Sequence, residues 1–183
     1  MITWMTRMSI LDTADDLEPD LAFQTMSQGI KLLRSLTTED GVYGNTRPEF
    51  RMWEYHETAL AAYLVALEAS LSTRGVFSFH HHRVRSTLFD FQRVNPEVQF
   101  ESPSWWEDVD VLRSHRSNLI RRWPDQYGET WRRTPKNMPY LWPFIDREQP
   151  SKYRLFVSAH DKSLLQTGER KLDSSLRERV ANL

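Results

Sequence analysis

Apolar residues recur along this chain at intervals of three and four, the period of amphipathic helices. From Leu21 the positions Phe23, Met26, Ile30 and Leu33, joined by Leu32 and Leu36, make one such stripe. Residues 12–20, ahead of it, hold acids and Pro19. That suits a helix start, since proline fits the first turn and carboxylates complement the positive dipole end. The helix should stop before Glu39-Asp40-Gly41, where glycine supplies a left-handed turn. A second helix is expected over about residues 50–72. Its middle, ALAAYLVALEASL, is apolar nearly all round, the mark of a helix buried between others.

Residues 76–103 have the weakest pattern and read as a loop with one short helix near Arg85 to Gln92. A third main helix is expected over roughly residues 109–122, stopping at Trp123-Pro124. Residues 127–150 are rich in aromatics and prolines and read as irregular. In the polar tail, Asp161 and Asp173 are candidate N-caps. Leu172, Leu176 and Val180 follow an i, i+4, i+8 line, so the tail is expected to end in a helix. The pattern thus predicts an all-α fold: about three main helices in a compact bundle, aromatic-rich loops and a tail helix. Residues 1–150 are expected to form the domain and residues 151–183 a polar C-terminal extension.

Composition refines this picture. Seven Trp supply large core side chains, and six Gly argue against a turn-rich β fold. Net charge is −1, so no overall basic bias marks a nucleic-acid binder. The distribution is uneven, however. Residues 1–30 hold five acids and one base, whereas residues 111–136 hold seven bases and two acids, which allows a local basic face. The chain has no Cys, so neither disulfides nor thiolate metal sites can form. No apolar run suits a signal peptide or a bilayer span, so the chain is read as cytoplasmic with no membrane partner.

Four segments, taken in order and spacing, carry a resemblance. They are LAFQTMSQGIKLLRSL (21–36), RPEFRMWEYHETALAAYLVALEASLSTRG (47–75), SHRSNLIRRWPDQY (114–127) and MPYLWP (138–143). Together they resemble the actinobacterial and phage branch of the pyrimidine-dimer DNA glycosylase (endonuclease V-like) family. The resemblance covers about residues 1–143, with 76–104 poorly matched. It implies a helical fold that flips nucleotides out of duplex DNA and cuts the N-glycosidic bond. The family's nucleophile is the chain's α-amine, with a pKa near ~8, which forms a Schiff base with the sugar. A glutamate early in the first main helix assists.

This chain departs from that pattern. Ser27 stands where the family has the glutamate, and Phe23 and Thr25 stand at two basic positions. Asp20 is about two helical turns from Ser27. The resemblance therefore implies a catalytic set of Met1, Ser27, His115 and Glu57. Glu57 is the substitute carboxylate, on a helix that the family packs beside the first. DNA contacts are implied at Arg51, Trp53, Arg116, Asn118, Arg121, Arg122 and Tyr127, where cations meet phosphates and aromatic faces meet bases.

Plainer readings stand beside these. Trp53 can be core. His115, in line with Leu112 and Leu119, can be a buried imidazole bonded to backbone. The basic helix face can be merely solvated. Adjacent side chains in His80-His81-His82 diverge, so they do not read as a metal site, and neither metal nor cofactor is expected. The expected function is a divergent, DNA-associated glycosylase-like protein with weakened, altered or lost excision, acting on double-stranded DNA. The alternative is a non-enzymatic interaction or structural module, of the kind phages encode, that binds a protein through its C-terminal extension.

Overall fold

The structure, a computed structural model, describes residues 3–37, 47–76, 80–94, 96 and 101–181. Its chain divides into two compact units, Met1–Pro103 and Ser104–Leu183. The first unit is helical throughout its described residues: α1 (Ile10–Asp16), α2 (Pro19–Thr37), α3 (Pro48–Trp53), α4 (Glu57–Thr73) and α5 (His80–Val94). The second contains α6 (Val109–Arg122), α7 (Pro124–Tyr127), β1 (Trp142–Ile145), β2 (Tyr153–Phe156), α8 (Ala159–Gln166) and α9 (Ser174–Arg179).

In the first unit the Ala-rich α4 is the central element, packed by α1, α2 and α5. Leu60, Tyr63, Leu64, Leu67 and Leu71 are buried along it. Small side chains permit the close approach. A Cβ on Gly29 of α2 would lie 2.4 Å from Leu64 Cδ2, so the two helices meet at this spacing because residue 29 has none. Residues 3–6 run extended and wholly buried. Tyr63 Oη donates to the Trp4 carbonyl at 2.7 Å, and Trp53 Nε1 donates to Thr3 Oγ1 at 3.2 Å. At the other end of α4, Arg74 donates to the Leu17 and Ala14 carbonyls. It thereby satisfies carbonyls that the end of α1 leaves open.

Three expectations change here. The proline start belongs to α2 alone, and a separate α1, capped by Ser9 (its Oγ accepts from Asp12 N at 3.2 Å), precedes it. The single helix expected over residues 50–72 is two, broken at residues 54–56. The helix expected near Arg85 to Gln92 is longer, His80–Val94. The stop expected at residues 39–41 lies outside the described residues.

The second unit corrects the all-α expectation. The structure is mainly helical, but β1 and β2 pair antiparallel, with Trp142 opposite Phe156 and Ile145 opposite Tyr153. Aromatic residues suit a half-buried pleated pair, and Phe144 and Phe156, diagonal neighbours, stack at 4.3 Å. The segment read as a polar extension lies within this unit. Leu155 bridges to Val180, and Leu155, Val157, Leu172, Leu176 and Val180 are all buried. Asp173 caps α9 as expected, its carboxylate accepting from Leu176 N at 2.8 Å. Asp161 is not the cap of α8. Ser158 is, and Asp161 sits in the first turn with its N–H on the Ser158 hydroxyl. Among the described residues no helix is long and apolar enough to cross a membrane.

The Tyr63 hydroxyl is the polar anchor of residues 3–6. Tyr63→Phe is expected to lower stability by about 1–3 kcal/mol, read as a lower urea midpoint. An unchanged midpoint would mean that packing alone holds the segment.

Candidate functional site

The sequence-predicted site residues divide between the two units. In the first, Arg51, Trp53 and Glu57 meet at the turn that joins α3 to α4. Trp53 ends α3 fully buried, stacked on Tyr63 with ring centroids 6.0 Å apart. It therefore has no surface to offer DNA, and the core reading of this residue holds. Arg51 reaches Glu54 at 3.1 Å. One helical turn earlier, Arg47 pairs with buried Glu49. Burial pushes the Glu49 carboxyl up, but the Arg47 hydrogen bond, a backbone hydrogen bond and nearby positive charge together outweigh this, and the group lies below its ordinary range.

The turn itself is strained. Tyr55 has φ 67, the only positive φ at a non-glycine among the described residues. A bulky residue there costs of order ~1–3 kcal/mol and persists only where its surroundings impose it. Trp53, held inside by Thr3 and Tyr63, and α4, buried along its length, fix both sides of this turn. Tyr55 projects its ring to solvent while its neighbours on each side are drawn in.

His56 is 6% exposed, and neither Nδ1 nor Nε2 has a hydrogen-bond partner. Burial lowers its pKa, opposed by the charge of Glu101. Glu57 opens α4. Burial raises its carboxyl, bonds from the backbone N–H groups of Glu57 and Tyr55 oppose this, and the Glu54 charge adds to the rise. Consecutive residues thus carry an imidazole shifted down and a carboxyl shifted up, both chiefly by burial. Sequence reading found Glu57 but missed Glu54, Tyr55 and His56. Their signal was a run of four polar or ring-bearing residues between two apolar stretches.

Of the other candidates in this unit, Ser27 is half-buried on α2. Met1 lies outside the described residues, as do the side chains of His80 and His81.

In the second unit the SHRSNL motif is a clamp on the MPYLWP segment. Ser114 Oγ donates to the Pro139 carbonyl and accepts from Leu141 N, both at 2.7 Å. Ser117 Oγ accepts from Met138 N at 3.0 Å. Asn118 Nδ2 donates to the Ser114 and Met138 carbonyls. Arg121 donates to the Met138 carbonyl and to Asn118 Oδ1. His115, fully buried, lies 3.3 Å from the Leu141 carbonyl and stacks on Tyr140 at 4.3 Å.

The packing gives four of these residues internal partners. His115 and Asn118 are enclosed, with His115 Nε2 and Asn118 Nδ2 turned to backbone carbonyls and Asn118 Oδ1 to Arg121. Arg121 is half-buried, its pKa lowered by burial and then by neighbouring Arg170. Tyr127 is buried between Trp131, on which it stacks at 5.1 Å, and the edge of Trp123, so its face is not free for a base. Arg122 is exposed and Arg116 half-exposed on α6. Among the described residues, no group of His, Asp and Glu could hold a metal ion.

No protein-family model, curated protein or solved structure matches the chain.

Two measurements check these geometries. Ser114→Ala removes both bonds that hold residues 139–141, and should cost about 2–4 kcal/mol by leaving two buried backbone groups open. A loss below that range would show the clamp to be dispensable. His56, held below its unfolded value near ~6.5, resists a proton that the unfolded chain accepts. Its contribution to stability is therefore full above that value and declines as pH falls below it. His56→Gln should flatten the decline of urea-unfolding stability between about pH 7 and 5. The same slope in parent and variant would place the imidazole in an ordinary solvated setting.

Proposed function

We propose that this chain is a divergent DNA-associated protein of the pyrimidine-dimer glycosylase kind. Its weakened base-excision or abasic-lyase chemistry is rebuilt at the turn between α3 and α4. The observation that carries the reading is Glu57, a carboxyl with its pKa raised by burial, next to an unpartnered buried imidazole on a strained backbone. With Ser27 in the family's glutamate position, Glu57 is the carboxyl that takes over the assisting role.

The resemblance assigns the nucleophile to the α-amine of Met1. As that nitrogen bonds to the sugar C1′, the C1′–N bond to the base breaks and its electron pair leaves with the base. A carboxyl whose proton burial makes harder to lose is suited to supply the proton that the leaving group needs, and its carboxylate then stabilises positive charge on the sugar. Neutral His56 is suited to take the proton that the attacking amine releases. Arg51 is paired with Glu54, and Arg47, paired with Glu49 at the start of α3, keeps a largely exposed guanidinium for phosphate.

One specific observation favours a second reading, a non-enzymatic interaction module that keeps the fold. The Ser114 and Ser117 hydroxyls and the Asn118 amide nitrogen are spent on internal backbone, so these three positions are explained without a ligand.

Borohydride trapping on abasic-site DNA separates the two. The parent is expected to form a covalent adduct, and Glu57→Gln to slow its formation at least tenfold, given the ~10²–10⁴-fold that a placed acid or base contributes. Absence of an adduct from folded parent protein would sink the excision reading and leave the interaction module. An adduct formed equally by Glu57→Gln would remove Glu57 from the chemistry.

A further inference from the structure

Helix α5, His80–Val94, packs against α2 and α4. Its buried Thr87 accepts a hydrogen bond from Arg34 of α2 at 3.2 Å, which marks the inward side. At 3.6 residues per turn, the opposite side is the line His82, Arg85, Ser86, Phe89 and Arg93. All five are exposed. Phe89 is 68% exposed, the largest value among the exposed large apolar residues of the described chain.

A single exposed ring is ordinary on a protein surface, and what distinguishes this one is the cations on its own helix line. Arg85 and Arg93 stand one turn before and one turn after it on the same line. Arg85 remains 70% exposed while its Nε lies 3.6 Å from Glu68. Asp90, the helix's single acid, is exposed at the edge of this line, one turn before Arg93, and exposed Arg83 lies on the same flank. A protein of net charge −1 thus has a helix line that carries His82, Arg85 and Arg93, with one acid at its edge, and whose one large apolar group is a flat ring between the two arginines. Cations that track a backbone and a ring that stacks on a base are the two parts of a single-strand contact, which needs no base-specific hydrogen bonds.

We propose that the outward face of α5 binds single-stranded DNA, with Phe89 stacked on a base and Arg85 and Arg93 on flanking phosphates. The inference extends the proposed function, and takes from it only DNA as the nucleic acid. It replaces the α6 patch, whose Arg121 and Tyr127 are occupied internally.

The test is fluorescence anisotropy of a labelled fifteen-residue oligothymidylate against the full chain and its variants at several salt concentrations. Phe89→Ala is expected to weaken binding about tenfold, and Phe89→Trp to preserve it, because stacking on one ring is worth ~1–3 kcal/mol. Arg93→Gln should lower the slope of log affinity against log salt by about 0.7. Heparin, a polyanion without bases, should bind parent and Phe89→Ala alike. Equal oligothymidylate binding by parent and Phe89→Ala overturns the inference, as does no binding by the parent. So does a loss in Phe89→Ala that heparin shares, which would mean a merely basic surface. Urea midpoints equal to the parent's keep a folding defect from imitating the loss. An adduct under borohydride with α5 variants binding like the parent would sink this surface and leave the excision reading standing. Binding that depends on α5, with no adduct, would do the reverse.

Discussion

Helix α4 is apolar nearly all round and turns only the line Val65, Ala69 and Thr73 to water, and the first unit is arranged around that constraint. Helices α1, α2 and α5 and the buried segment of residues 3–6 must supply what solvent does not. They can come close enough only because Gly29 lacks a side chain and because alanines line the helix. The same constraint generates the turn at its N-terminus. Trp53 is fixed from inside by Thr3 and Tyr63, α4 is fixed by its neighbours, and three residues must join them. Tyr55 absorbs the mismatch with a positive φ. Local strain at this position is thus a product of packing on both sides, and it is what places an imidazole and a carboxyl together in a half-desolvated setting.

The second unit solves a different problem, the polar backbone of an irregular aromatic segment. Residues 138–141 form no helix or strand, yet they are buried, so their N–H and carbonyl groups need partners. One face of α6 provides them by side chain. Serines at positions 114 and 117 and the amide of Asn118 act as stand-ins for a neighbouring strand. Ser114, Ser117 and Asn118 thus act as a hydrogen-bonding template for the amides and carbonyls of this segment.

Much of the helical framework was legible in the chain because periodicity reports burial. The α2 stripe, the all-round apolar α4, the extent of α6 and the Leu172–Leu176–Val180 line each match a buried face. The break at residues 54–56 was not legible, since glutamate, tyrosine and histidine carry no helix-stopping signal and the left-handed residue is neither glycine nor asparagine. The sheet was hidden for a similar reason: four-residue strands in a proline- and aromatic-rich region have no measurable period. At the candidate site, Glu57 was named through the family resemblance, whereas the orphaned state of His56 depends on burial that no local pattern encodes. The inward turn of His115 was legible from its line with Leu112 and Leu119, but the Ser114, Ser117 and Asn118 bonds depend on a segment more than fifteen residues away.

The carboxylate of Asp108 serves three masters. One oxygen caps α6 by accepting from Asp110 N and Val111 N, while the other takes the Tyr153 hydroxyl at 2.5 Å and the guanidinium of Arg179, which also reaches Asp110 at 2.6 Å. The start of the helix is therefore completed by residues 45 and 71 positions later in the chain. During synthesis those partners emerge after the helix whose start they complete. The described helices of the first unit, by contrast, have their packing partners within Met1–Pro103. Vectorial emergence thus gives the two halves different timetables: one half can settle while translation continues, and the other waits with its helix start unlatched until Arg179 leaves the exit tunnel.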